Sequence, residues 1–185
     1  MPELPEVETI VRDIRPALLG RTIVRARLSH EDVLRGVTRR RLVAGLRGAM
    51  IHDVMRRAKH AVLALTTPSG RSRRLVVQPG MTGSLVVYDR TLAPEEAGYA
   101  VLRIALDDGG ELVYRDVRRL GTLLLLDDAG WASYDAAIGP EPLADDWTPG
   151  RFGETLRRSG QAIKKVIMDQ RHLAGVGNIY ANEAL

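Results

Sequence analysis

The residues best suited to chemistry stand at the very start of the chain, Met1-Pro2-Glu3-Leu4-Pro5-Glu6-Val7-Glu8. A small residue behind Met1 normally permits removal of the methionine, which would leave Pro2 with a free α-amine. An α-amino group titrates at roughly 7.7–8.0 against about 10.4 for lysine, so near neutral pH a far larger fraction of it is the free nucleophile. Attack on a sugar C1′ would give an iminium, the same electron sink that lysine Schiff bases provide. Glu3 and Glu6 are close in sequence, and either could shuttle a proton to the sugar or its leaving group. The same residues have a purely structural account, because Glu near a helix N-terminus favours the dipole and Pro suits a first turn.

Four further clusters carry possible chemistry. Arg56-Arg57-Ala58-Lys59-His60 is a basic run entering a strand; it could hold phosphates, or be a solvated strand end. Gln78-Pro79-Gly80-Met81-Thr82-Gly83-Ser84 places a glycine-flanked Met in a loop, where it could wedge between bases or simply belong to a hairpin. Asp116-Val117-Arg118-Arg119-Leu120-Gly121 sets two arginines beside an apolar residue at a strand connection. Gly175-Val176-Gly177-Asn178 opens a helix, where free N–H groups make an anion site, although a glycine C-cap between helices explains it almost as well.

These clusters must be positioned by two kinds of element. Val7, Ile10, Val11, Ile14 and Leu18 recur at helix spacing, with Gly20 as a stop and Pro16 expected to kink or tighten the last turn. Residues 23–28 alternate as a half-buried strand, and a short helix is expected after Thr38. Seven β-type runs then follow, at 50–55, 61–66, 74–78, 84–88, 100–106, 111–115 and 121–126, separated by turn clusters. Strands at this spacing predict an antiparallel sandwich or barrel rather than βαβ units. Residues 135–150 read as a linker, within a longer stretch from 130 that loses periodicity. Beyond it, 152–158, 161–169 and a last helix from Asn178 are helical. About 35 residues of helix cannot bury a core of their own, so residues 151–185 read as the start of a second domain behind a first of 1–134.

Composition excludes several classes. The chain has no cysteine, so disulfide scaffolds and thiolate metal sites are out, and His30, His52, His60 and His172 lie far apart. No apolar run reaches the roughly 20 residues of a membrane span, and the acidic N-terminus is unlike a signal peptide, which gives an expectation of a soluble cytoplasmic protein. Residues 1–134 hold 21 Arg and Lys against 16 Asp and Glu, and 135–185 hold 6 against 7. Of the 27 basic residues 24 are arginine. That fits a nucleic-acid partner, and equally an Arg-favouring codon bias.

Taken together, the motifs resemble formamidopyrimidine-DNA glycosylases in order and spacing. The likeness rests on Pro2–Thr9, Arg56–Lys59, Gly80–Leu85, Asp116–Gly121, Gly139-Pro140-Glu141-Pro142-Leu143 and Ala174–Glu183, and the first and last are its most specific parts. The opening tetrapeptide favours the purine-lesion branch over the endonuclease VIII-like branch. The resemblance implies a mixed β and α protein: a two-sheet antiparallel β-sandwich with flanking helices, followed by an incomplete helix–two-turns–helix module. Its implied partner is double-stranded DNA containing a damaged purine, such as 8-oxoguanine or a formamidopyrimidine, acted on by a monomer.

By the same resemblance Pro2 is the Schiff-base nucleophile, Glu3 and Glu6 are proton carriers, and Lys59 is catalytic and touches phosphate. Gln78, Tyr99, Arg119, Lys164 and Asn178 fall at DNA-contacting positions, and Met81, Arg118 and Leu120 fill the gap left by a flipped base. Four positions depart from the pattern: Gln78 and Tyr99 where His is usual, Val117 for Pro and Leu120 for Phe. Leu stacks less well than Phe, which bears on efficiency. No metal or cofactor is expected within the chain. Family members continue into a four-Cys zinc hairpin, so this chain is expected to bind DNA weakly and turn over slowly. The alternatives are a non-catalytic DNA-binding module on the same sandwich, and an endonuclease VIII-like glycosylase for oxidised pyrimidines.

Overall fold

The computed structural model describes residues 1–185. Helix α1 (Leu4–Leu18) buries Leu4, Val7, Val11, Ile14 and Leu18 along one face, the stripe its periodicity predicts, and runs through Pro16 to end two residues later. Strand β1 (Ile23–Leu28) leads to α2 (Arg39–Leu46), whose Thr38 Oγ1 accepts the Arg41 amide at 3.4 Å as an N-cap. Then come β2 (Met50–Arg57), β3 (His60–Thr66), β4 (Ser72–Gln78), β5 (Gly83–Tyr88), β6 (Ala100–Leu106), β7 (Glu111–Asp116) and β8 (Thr122–Leu126).

The eight strands form two four-stranded antiparallel sheets, ordered β1-β6-β7-β5 and β2-β3-β4-β8. One apolar core lies between them, built from Leu63, Leu65, Leu75 and Val77 of one sheet and Leu102, Ile104, Leu112 and Tyr114 of the other, with α1 and α2 contributing. Of the sandwich and barrel that the strand spacing allows, this is the sandwich, as the resemblance implies, with strand boundaries shifted by a residue or two.

The C-terminal part holds α3 (Asp128–Ala136), α4 (Pro149–Arg157), α5 (Ile163–Met168) and α6 (Asn178–Glu183). Helix α3 occupies the beginning of the stretch from 130 expected to be aperiodic. Its signal was masked because it is short and none of its residues is buried, so no apolar stripe marks it. Asp127 starts it, accepting the Gly130 amide at 2.9 Å. The helical segment buries only a three-residue apolar cluster, Ile167, Leu173 and Ala181, with Trp147, Phe152 and Leu156 packed against it.

Residues 139–141 bind the helical segment to the sandwich. Gly139 donates to Gln170 O at 2.7 Å, and the Ala174 amide donates to Pro140 O at 2.9 Å. A side chain at Gly139 would meet the Arg171 carbonyl carbon at 2.7 Å, so the close approach requires glycine. The connection is a fixed strut.

Candidate active site

Glu3 is the centre of the site. It is only 3% exposed, and its carboxylate accepts three backbone amides from the start of α6 and the residue before it: Gly177 at 2.6 Å, Ile179 at 2.9 Å and Tyr180 at 3.3 Å. The Leu4 amide donates to Gly175 O at 3.0 Å beside it. Glu3 therefore serves the N-terminus of a different helix from its own, which local sequence cannot reveal. Within α1 the capping work falls to Glu6, whose Oε2 accepts the Glu3 amide at 2.8 Å while its Oε1 accepts the Tyr180 hydroxyl at 2.9 Å. Burial pushes Glu6 up, but these two hydrogen bonds and the N-terminal ammonium outweigh it and hold the carboxyl below its usual range. Pro2 lies partly exposed immediately before this pair.

Lys59 approaches the same place from the two-residue connection between β2 and β3, where Arg57 pairs with His60. Ala58 carries the left-handed backbone of that turn, with φ 52°. Lys59 is buried, and burial pushes its ammonium below the ordinary lysine range, opposed by the charge of Glu3. Gly177 is the meeting point. A Cβ there would lie 2.5 Å from the Glu3 carboxyl carbon and 2.7 Å from Lys59 Nζ, so only glycine lets the two side chains converge.

The two arginines beside Lys59 are neither open to phosphate nor a solvated strand end. Arg56 donates to Glu8 at 2.9 Å and to Glu141 at 2.6 Å. Arg57 donates to Asp135 at 2.5 Å and to Glu141 at 3.0 Å, and the Ala58 amide donates to the same Glu141 at 2.6 Å. The run is a clamp that holds the Lys59 turn against residues 135–141. Glu141 was visible only as part of a motif, with no role that spacing could give it.

The remaining clusters emerge at the same end of the β2-β3-β4-β8 sheet as Lys59. Ala61 pairs with Val77 and Gln78 with Thr122, so the turn at 58–59, the loop after β4 and the start of β8 sit side by side. Gln78 accepts the Thr122 hydroxyl at 3.3 Å. Met81 and Leu120 are exposed, and Arg118 Nη1 lies 3.7 Å from Met81 Sδ, which brings these three side chains to one rim. Asp116 holds the rim from beneath. It accepts the Thr82 hydroxyl at 2.6 Å, the Gly121 amide at 2.8 Å and the Tyr114 hydroxyl at 3.0 Å, and Thr82 in turn accepts the Arg118 amide at 3.0 Å. Burial raises Asp116, yet those donors win and hold it below the usual carboxylate range.

Other expected contact residues lie around this frame. Tyr99 is exposed, with φ 59°, and its carbonyl accepts the Asp116 amide at 3.1 Å. Arg119 pairs with Asp32 at 2.8 Å. Lys164 donates to Asn182 at 2.6 Å, and Asn178 is exposed at the first position of α6. The structure gathers no group of three or more His, Cys, Asp or Glu side chains that could hold a metal, and no helix is long and apolar enough to cross a membrane.

Comparison with known proteins gives consistent matches. The family description "Formamidopyrimidine-DNA glycosylase N-terminal domain" fits residues 1–123, and "Formamidopyrimidine-DNA glycosylase H2TH domain" fits 138–185. The formamidopyrimidine-DNA glycosylase of Chloroflexus aggregans is 45% identical, over 100% of this chain and 65% of its own length. That of Thermomicrobium roseum is 40% identical, over 100% and 67%. Among solved structures, wild-type Lactococcus lactis Fpg with DNA containing N7-benzyl-Fapy-dG matches at a TM-score of 0.87 and 32% identity, over 100% of this chain and 66% of that one. MutM with DNA containing carbocyclic 8-oxo-G matches at 0.87 and 32%, over 100% and 67%. The chain thus spans about 65% of the length of curated relatives such as the Chloroflexus enzyme.

Proposed function

The chain belongs to the formamidopyrimidine-DNA glycosylase family, and from that premise we propose that it is the part of a base-excision repair enzyme that carries the chemistry. The reading is of a bifunctional glycosylase and abasic-site lyase acting on oxidised or ring-opened purines in double-stranded DNA. One observation carries it: Glu3, next to the residue that would bear the nucleophilic amine, is buried against the α6 amides beside Lys59.

With Met1 removed, the lone pair of the Pro2 amine attacks C1′ of the damaged nucleoside and the base leaves with the glycosidic electrons. Glu3 takes up the proton that the attacking Pro2 nitrogen gives up and passes it to O4′, opening the sugar ring, and the C1′–nitrogen double bond of the resulting iminium draws in electrons as the C2′ and then the C4′ proton leave in β- and δ-elimination. Both phosphates flanking the sugar are thereby released from it. Glu6, held between the Glu3 amide and Tyr180, keeps the start of α1 in register for that attack. Lys59, its proton loosened by burial, is read as exchanging protons at the same sugar and, when charged, as the partner of a phosphate.

The rim of Met81, Arg118 and Leu120 suits a wedge that fills the space of a flipped nucleotide. Gln78, Tyr99, Arg119, Lys164 and Asn178 are read as DNA contacts around it. For Arg119 and Lys164 this requires exchanging Asp32 and Asn182 for phosphate. The zinc that the resemblance implies finds no ligand set here, since there is no cysteine and no cluster of His, Asp and Glu. We assign it to residues outside these 185, and no step uses it.

The test is product analysis on a duplex containing one 8-oxoguanine. Free base and strand ends phosphorylated on both sides of a one-nucleoside gap are expected. Base release without strand scission, or neither, would contradict the reading.

A further inference from the structure

The β3–β4 turn leaves its sheet at the end remote from Lys59. Seven residues of β3 separate the two, a distance of about 25 Å at the rise of an extended strand. Between that turn, α2 and the end of β8 lies a cavity of about 540 Å³ walled by Arg41, Arg47, Arg71 and Arg73. Neighbouring Arg39 and Arg74 are paired with Glu31 and Asp128, whereas no ion pair engages any of these four. Asp127 is the one acid in the lining, and it is occupied in capping α3. Thr67 and Ser69 add hydroxyls at the cavity wall, 3.1 Å from each other.

Four guanidinium groups around one concavity repel each other unless an anion lies among them. Arginine's planar fork matches phosphate oxygens. The lining includes no aromatic side chain, so it offers no platform on which the base of a free nucleotide could stack. The positive charge also continues beyond the cavity into an adjoining hollow, where Arg40 joins Arg47 beside the Glu31-paired Arg39. A track of charge without stacking partners suits a run of phosphodiesters better than a single small anion.

We propose that this arginine-lined cavity is a second, sequence-independent site for the backbone of a nucleic-acid strand, on the far side of the sandwich from the lesion cleft. At about 25 Å it lies well beyond the roughly 10 Å Debye length, so it binds its phosphates independently of the Lys59 site. The protein can thus hold an undamaged DNA segment while the cleft is occupied by another.

The experiment uses an undamaged duplex of roughly 10 base pairs, about one helical turn. Native mass spectrometry at about 0.1 M ammonium acetate, where the Debye length is about 10 Å, is expected to show two duplexes per protein, and one for the variant R41Q/R47Q/R71Q/R73Q. The slope of log affinity against log salt at this site should be about −3 to −4, from about −0.9 per neutralised phosphate. The fourfold Arg→Lys variant, which keeps the charge, should retain the second duplex, so that loss in the Gln variant is not misfolding. Dicarbonyl labelling supplies the source control. Arg41, Arg47, Arg71 and Arg73 should be protected by the duplex, and not by tripolyphosphate or polyglutamate at equal charge. A duplex count that the fourfold Gln variant leaves unchanged, failure of the duplex to protect the four arginines, or protection by either competitor alone, overturns the proposal. Failure of the cleft reading is distinguishable, because it would leave one duplex on the wild type and none on the Gln variant, with the four arginines still protected.

Discussion

The Gly177 amide donates to the Glu3 carboxylate at 2.6 Å across 174 residues of sequence, and the missing side chain of Gly177 is the space that Glu3 and Lys59 share. Everything proposed for the site depends on that contact.

Gly177→Ala is therefore expected to displace Glu3 from its three amide donors. Backbone atoms around Gly177 are fixed by α6, so the carboxylate and Lys59 must move instead. Misplacement of about 1 Å costs on the order of 100-fold in rate, and that is the loss expected in single-turnover reaction with abasic DNA. Overpacking should lower stability by about 1–3 kcal/mol. A variant with wild-type rate would show that the convergence of Glu3 and Lys59 is incidental.

Much of this arrangement was legible in sequence. The apolar face of α1, all eight strands and the Thr38 cap follow from local periodicity and capping chemistry, which act over a few residues. The partners of the site residues did not. Glu3 reads as an acid near the start of its own helix, but it caps another one. Arg56 and Arg57 read as phosphate ligands or a solvated strand end, and they are neither, because Glu141 and Asp135 engage them from nearly 80 residues or more away. Asp116 stood in a motif whose arginines drew notice, while the carboxylate is what joins Thr82, Tyr114 and Gly121. Such pairings are set by how sheet and helical segment dock, and no spacing rule encodes that.

Glu141→Ala tests the clamp. It leaves Arg56, Arg57 and the Ala58 amide without their shared acceptor, in a place where the Arg56 side chain is 9% exposed. Loss of about 2–4 kcal/mol in denaturant-induced unfolding is expected, since removing one partner of a largely buried pair strands the other. Glu141→Gln, which keeps two lone-pair acceptors, should recover part of it. An unfolding midpoint within error of wild type for Glu141→Ala would contradict the assignment.

Asp116→Asn separates the rim from the chemistry. Asn offers one acceptor oxygen for three donors, so about 1–3 kcal/mol of stability should be lost. The rim loop should also loosen around Met81, Arg118 and Leu120. Reaction with duplex 8-oxoguanine, which requires flipping, should fall more than reaction with an abasic site in single-stranded DNA. Equal losses on both substrates would place Asp116 outside the flipping step.

His60 sets a pH dependence. Burial holds it below its ordinary value of 6.5, opposed by the Arg57 carbonyl oxygen 3.0 Å from Nδ1; its Nε2 lies 3.0 Å from the Tyr134 hydroxyl. As pH falls below about 6.5 the unfolded chain takes up a proton before the folded one does, so stability declines with acidification. This contribution is whole above about 6.5 and is lost on the way down towards the folded-state value. The Tm of wild type should fall more steeply between about pH 7.5 and 5.5 than that of His60→Gln. Parallel curves would rule His60 out as the group responsible.

The central claim is that the chain's own N-terminal amine is the nucleophile, and borohydride trapping on abasic DNA tests it most directly. The adduct is digested and the modified peptide sequenced by mass spectrometry. The account predicts one covalent DNA adduct on the Pro2 nitrogen of chains lacking Met1, and none on chains that retain it. An adduct on Lys59, or trapping that proceeds equally with Met1 in place, would contradict it.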